Sequence, residues 1–84
     1  MEEQVLKKYV QVEASFSPEG QLKPIRIIWE DSRVFEIDRV KSCVRAASRK
    51  AGGVGLRYTC LIRGIEAIIY YEGNYKWFVE AKRI

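Results

Sequence analysis

Eighty-four residues allow one small domain, and 15 Lys and Arg against 11 Asp and Glu give a formal charge of +4. An apolar fraction of 48% argues against wholesale disorder, which needs low hydrophobicity with high net charge. The chain contains no His, which excludes every Ser–His and Cys–His nucleophile pair and every His-bearing zinc site.

The chain reads as strands. Leu6, Val10, Val12, Ala14 and Phe16 fall on alternate positions, interrupted by Lys8, and Pro18-Glu19-Gly20 ends the run as a turn. Ile25, Ile27 and Trp29 then share one parity, and Phe35 and Ile37 follow. A two-residue loop at Asp31-Ser32 sets Trp29 opposite Val34 and Ile27 opposite Glu36. A three-residue loop, Asp31-Ser32-Arg33, sets Trp29 opposite Phe35, Ile27 opposite Ile37 and Arg26 opposite Asp38. Faces and charges agree in the second register, so an odd-length loop is predicted.

Residues 42–50, with Ala46-Ala47 at their centre and Gly52-Gly53 beyond, are the best place for a helical turn, and at most one short turn is predicted there. Alternation resumes at Leu56, Tyr58, Cys60 and Ile62. A two-residue turn at Arg63-Gly64 sets Ile62 opposite Ile65, Cys60 opposite Ala67 and Tyr58 opposite Ile69. A type II′ turn at Gly73-Asn74 sets Tyr70 opposite Trp77 and Ile68 opposite Val79. β-branched and aromatic residues fill these runs, as a pleated surface prefers. The expected fold is all-β: a strongly curled antiparallel meander or partly open β-barrel of five to six strands, one domain over residues 1–84.

Apolar runs such as Ala67-Ile68-Ile69-Tyr70-Tyr71 fall far short of the roughly 20 residues of a membrane-spanning helix, and Met1-Glu2-Glu3-Gln4 does not resemble a secretory leader. A cytoplasmic protein without a membrane partner is expected. Cys43 and Cys60 are too few for a disulfide scaffold or zinc cage and read as reduced, with Cys60 a small core hydrophobe. The carboxylates are scattered, so no catalytic residue, metal site or cofactor is predicted.

The charge is uneven. Residues 33–63 hold eight cations and two carboxylates, for +6, and residues 13–32 carry −2. The centre of the basic stretch places Arg45, Arg49, Lys50 and Arg57 around Gly52, Gly53 and Gly55. Such a loop suits a phosphate or nucleic-acid backbone. It matches neither a Walker loop nor a dinucleotide fingerprint, and a flexible, solvated connection between strands is the plainer explanation. The predicted registers also place Arg57, Tyr70 and Trp77 in one row. On an open face that row is a stacking platform for bases. Covered, Trp77 is ordinary core, and a homodimer interface is a third reading.

The runs Pro24-Ile25-Arg26-Ile27-Ile28-Trp29-Glu30-Asp31, Ile37-Asp38-Arg39-Val40, Arg45-Ala46-Ala47-Ser48, Gly52 to Cys60 and Lys76-Trp77-Phe78-Val79-Glu80 resemble a family of short bacterial proteins of unknown function, over about residues 22–81. The resemblance implies a free-standing cytosolic domain and supplies no activity, ligand or site. Two readings stand: a small binding module for nucleic acid or another polyanion through the basic loop 45–57, and a protein-interaction or self-associating domain using an apolar sheet face or edge strand.

Overall fold

The computed structural model describes residues 4–47 and 54–83. Seven antiparallel strands form one curled half-barrel: β1 (Gln4–Phe16), β2 (Leu22–Ile28), β3 (Val34–Glu36), β4 (Arg39–Ala47), β5 (Val54–Ile62), β6 (Ile65–Gly73) and β7 (Lys76–Arg83). Their spatial order is β3-β2-β1-β7-β6-β5-β4. The all-β class and the curl agree with expectation, but the strand count exceeds five to six. The chain is also not one continuous meander. Two meanders, β1–β3 and β4–β7, are joined by the β1–β7 pairing, and the strands consecutive in the middle of the chain, β3 and β4, end the sheet on opposite sides.

The described part of the expected helical turn, residues 42–47, belongs to strand β4; residues 48–50 lie outside the described residues. Ala46 and Ala47 pair with Gly55 and Val54. Helix propensity is worth tenths of a kcal/mol per residue, and a ladder with β5 overrides it.

β1 is long enough to serve two neighbours in succession. Gln4–Val10 pair with β7, and Gln11–Phe16 pair with β2. The change of partner bends the sheet, helped by a bulge at Glu13/Ala14. Pro24, which has no N–H to donate, sits beside this irregularity and is fully buried. The bulge turns Pro24 inward and leaves Ile25 exposed, so the expected parity of Ile25 with Ile27 breaks.

The concave face holds the core: Ile27 of β2, Tyr58 and Cys60 of β5, Ile69 of β6 and Trp77 of β7. Across it, the Tyr58 hydroxyl donates to the Leu22 carbonyl, tying β5 to β2. Lys8, the interruption in the first apolar run, is on this face opposite Val79. It lies along the apolar surface and carries its ammonium to the mouth, 5.3 Å from the Trp29 ring centre and 2.9 Å from Glu30.

The turns decide which residues meet. At Arg63-Gly64 the expected pairs all form, Ile62 with Ile65, Cys60 with Ala67 and Tyr58 with Ile69. Between β2 and β3 the loop has odd length as expected, but it is Glu30-Asp31-Ser32, one residue earlier, closed by Trp29 N–H to Arg33 O. Ile27 therefore faces Phe35, and Arg26 faces Glu36, with which it makes an ion pair at 2.9 Å. Asp31 anchors the loop by accepting from the Arg33 backbone, a bond that also holds its carboxyl below the usual range.

The β6–β7 turn departs further. Its central residues are Asn74 and Tyr75, at φ +53° and +63°, and Gly73, at φ +104°, forms part of a bulge. Trp77 consequently faces Tyr71, while Phe78 faces Tyr70. The one-residue slip moves Trp77 to the concave face, where it is 6% exposed.

Candidate functional site

The structure divides the sequence-selected residues. Arg49 and Lys50 lie outside the described residues. Arg45 and Arg57 are both exposed and sit on the same hairpin but on opposite faces, because Arg45 faces Leu56 while Arg57 faces Val44. Trp77 does not stand in a row with Arg57 and Tyr70; Phe78 occupies that place. The row on the convex face runs Val44, Arg57, Tyr70, Phe78, Tyr9 across five strands.

That row is internally satisfied. Tyr70 stacks on Phe78 at 5.0 Å and 9°, and Tyr9 meets Phe78 edge-on at 5.9 Å. Lys7 places its ammonium 4.9 Å from the Phe78 ring centre and 2.6 Å from Glu72. The Tyr9 hydroxyl donates to the same carboxylate at 2.7 Å. The bond from Lys7, and then that from Tyr9, hold the Glu72 carboxyl below its ordinary pKa, and the Lys7 ammonium is held above its own, mainly by Glu72. Burial, then donation to Glu80 at 3.0 Å, raises the Tyr70 phenol. Phe78 is 1% exposed, so bases have no access to its face.

The charge that remains uncompensated lies elsewhere. Among the described residues, Lys7, Lys8, Arg26, Arg33 and Lys41 each pair with a carboxylate. Arg39, Arg45, Arg57 and Arg63 pair with no described carboxylate, and residues 39–63 contain no Asp or Glu at all. These arginines belong to the β4–β5 hairpin and its following turn. β4 ends the sheet, and no described strand pairs with its outer edge. Arg45 stands on the concave face of this edge strand and Arg39 on its convex face; Arg57 lies one strand further in on the convex face, between Val44 and Tyr70.

Beside that edge the half-barrel is open. Past Val10, β1 leaves β7, and the gap becomes an apolar trough. Its largest part, about 610 Å³, lies between Phe16 and Leu22 on one side and Val40, Cys43 and Leu56 on the other, with Tyr58 and Tyr71 also lining it. Through Leu56 and Tyr71 it adjoins a depression of about 310 Å³ lined by Arg45. Through Phe16, Leu22 and Tyr71 it adjoins a third, of about 300 Å³, beside Trp77 and Tyr75. Phe16 and Tyr75 stand on the rim, 63% and 87% exposed.

Phe16, Tyr71 and Tyr75 escaped the sequence reading because parity places Phe16 in a core-facing run and the Gly73-Asn74 turn hides Tyr75 in a strand. The available signal was Asn74, which tolerates positive φ, so that Gly73 is free to act as a bulge. Cys60 is 0% exposed and its thiol is pushed up to about 11, chiefly by burial; Cys43 is an exposed free thiol. Among the described residues no group of three or more His, Cys, Asp or Glu is placed to hold a metal, and no helix is long and apolar enough to cross a membrane.

No family model, curated protein or solved structure matches the chain.

Proposed function

We propose that the protein is a non-catalytic binding module for an extended polyanion, single-stranded nucleic acid in the first place, held along the free edge of β4. The observation that carries this reading is the uncompensated charge of the β4–β5 hairpin: Arg39 and Arg45 occupy opposite faces of the unpaired edge strand and Arg57 lies one strand in, all without a described carboxylate partner. Five other described cations pair with carboxylates, whereas Lys23 and Lys76, like the hairpin arginines, make no ion pair with a described carboxylate. Phosphates along a flexible strand would neutralise both sides of the edge, and bases would reach the trough, where Phe16 and Tyr75 present open aromatic surface. Arg49 and Lys50 follow β4 in sequence and extend the basic run. Tyr70 and Trp77 have no part in this reading, because one is stacked on Phe78 and the other is core.

The alternative, self-association through the same edge, brings like charges together. An antiparallel pairing of β4 with a second β4, centred on Cys43, would set each Lys41 opposite the other copy's Arg45, and such charges on an edge normally prevent pairing.

The test is fluorescence anisotropy of a labelled single-stranded 12-mer (about three-quarters of a large single-strand site) across a salt series starting near 50 mM. Affinity should fall linearly on a log–log plot. Arg45→Ala combined with Arg57→Ala should lower the slope by about 1.4, at about 0.7 per phosphate on a single strand. Absence of binding at the lowest salt, or an unchanged slope in the double variant, would overturn the reading. Sedimentation at high concentration decides the alternative, which a strict monomer excludes.

A further inference from the structure

At the mouth opposite the trough, the half-barrel holds a second pocket, of about 410 Å³. It falls within the range of about 300–1,000 Å³ that small-molecule sites span. Its walls are mainly Ile27, Trp29, Phe35, Ile62, Ala67 and Val79, and Arg33 is the one charged side chain that lines it. Three cations stand at the rim against its two aromatic rings. The Lys8 ammonium is 5.3 Å from the Trp29 ring centre, and the guanidinium groups of Arg33 and Arg63 are 5.5 and 5.8 Å from that of Phe35. Lys8 and Arg33 are engaged by Glu30 and Asp31. The Arg63 guanidinium pairs with no described carboxylate; Asp38 nearby is engaged by the Arg63 backbone N–H at 2.8 Å.

Arg63 also occupies a conformation that suits it poorly. It opens the β5–β6 turn at φ +52°, a left-handed position that Asn or Gly adopts at less cost. This turn position holds the Arg63 guanidinium against the Phe35 ring, which lines the pocket.

We infer that this pocket binds a small amphipathic anion, a medium-chain carboxylate whose hydrocarbon body fills the apolar walls and whose carboxylate meets Arg63. The chemistry follows from the pocket: walls that are apolar apart from Arg33 and the Trp29 indole N–H favour a hydrocarbon body, and an unpaired guanidinium beside Phe35 favours a single planar anion. The site shares no lining residue with the trough, so it stands or falls independently of nucleic-acid binding at β4.

Isothermal titration of the intact protein with octanoate, decanoate and decanol, each kept below its aggregation threshold, tests the inference, with amide shift mapping to locate the ligand. Decanoate should bind about 15-fold more tightly than octanoate, at roughly four-fold for each of the two added methylenes. Decanol should bind more weakly than decanoate. Arg63→Asn, which suits the positive φ and so preserves the turn, should weaken decanoate at least about ten-fold and leave decanol unchanged. No binding of decanoate up to about 1 mM, equal affinity for acid and alcohol, or shifts centred on β4 instead of on Trp29, Phe35 and Ile62 would overturn it.

Discussion

Individual side chains show how strongly position along the curl sets their chemistry. The two cysteines differ in sequence by little beyond their neighbours, yet Cys60 is sealed behind Tyr58 and Ile69 while Cys43 is open on the edge strand. A thiol reagent should therefore titrate one equivalent in the native protein and two in denaturant. The raised Cys60 pKa also makes stability depend on pH. Its stabilising contribution is complete below its ordinary value of 9.0 and is lost as pH rises through about 11, because the unfolded thiol ionises first. The loss should reach the order of 2 kcal/mol, read from urea midpoints between those pH values. Cys60→Ala should flatten that part of the profile, leaving the later loss due to Tyr58, whose phenol burial also raises. Gly55 illustrates a different constraint. A Cβ there would lie 2.5 Å from the Tyr71 carbonyl oxygen, so the close approach of β5 and β6 requires glycine.

At the scale of elements, the turns matter more than the strands they join. Alternation identifies most of the strands and most of the core side chains, and the Arg63-Gly64 hairpin forms with the expected pairs. At the β6–β7 hairpin, one bulged residue moves Trp77 from an open platform into the core. Parity alone cannot register such a slip, because both registers leave an aromatic opposite Tyr70. The same turn holds Tyr75 at φ +63° with almost all of its ring in solvent. Tyr75→Gly should stabilise the protein by about 1 kcal/mol in urea unfolding, since glycine adopts that conformation without strain. If Tyr75 serves the trough, the same variant should bind the single-stranded 12-mer more weakly. Gain of stability with unchanged binding would remove Tyr75 from the site.

For the whole molecule, openness is the governing property. A closed barrel would pair β3 with β4; among the described residues both remain edges, and an apolar trough and pocket persist at the two mouths. Among the described residues the enclosed core is consequently small: Pro24, Ile27, Tyr58, Cys60, Ile69 and Trp77, with Phe78 buried on the convex side. A core of this size supports roughly 3–5 kcal/mol of net stability. Trp77→Ala removes about 3–5 kcal/mol from a buried tryptophan site. Near-UV circular dichroism at 25 °C should therefore find that variant largely unfolded. A well-folded Trp77→Ala protein would mean that the open faces contribute more than the core.

The sequence by itself determined the β class, the inward parity of Val10, Val12, Ile27, Tyr58, Cys60 and Ile69, and the basic centre around Arg45 and Arg57. Those follow from local rules, side-chain alternation and composition, that need no knowledge of partners. Tertiary structure alone decided that residues 42–47 extend, that β1 divides its length between β7 and β2, and that Arg45 and Arg57 fall on opposite faces of the β4–β5 hairpin. Each of those depends on which distant backbone supplies the hydrogen bonds, and a shift of one residue in that supply turns a side chain from one face of the sheet to the other.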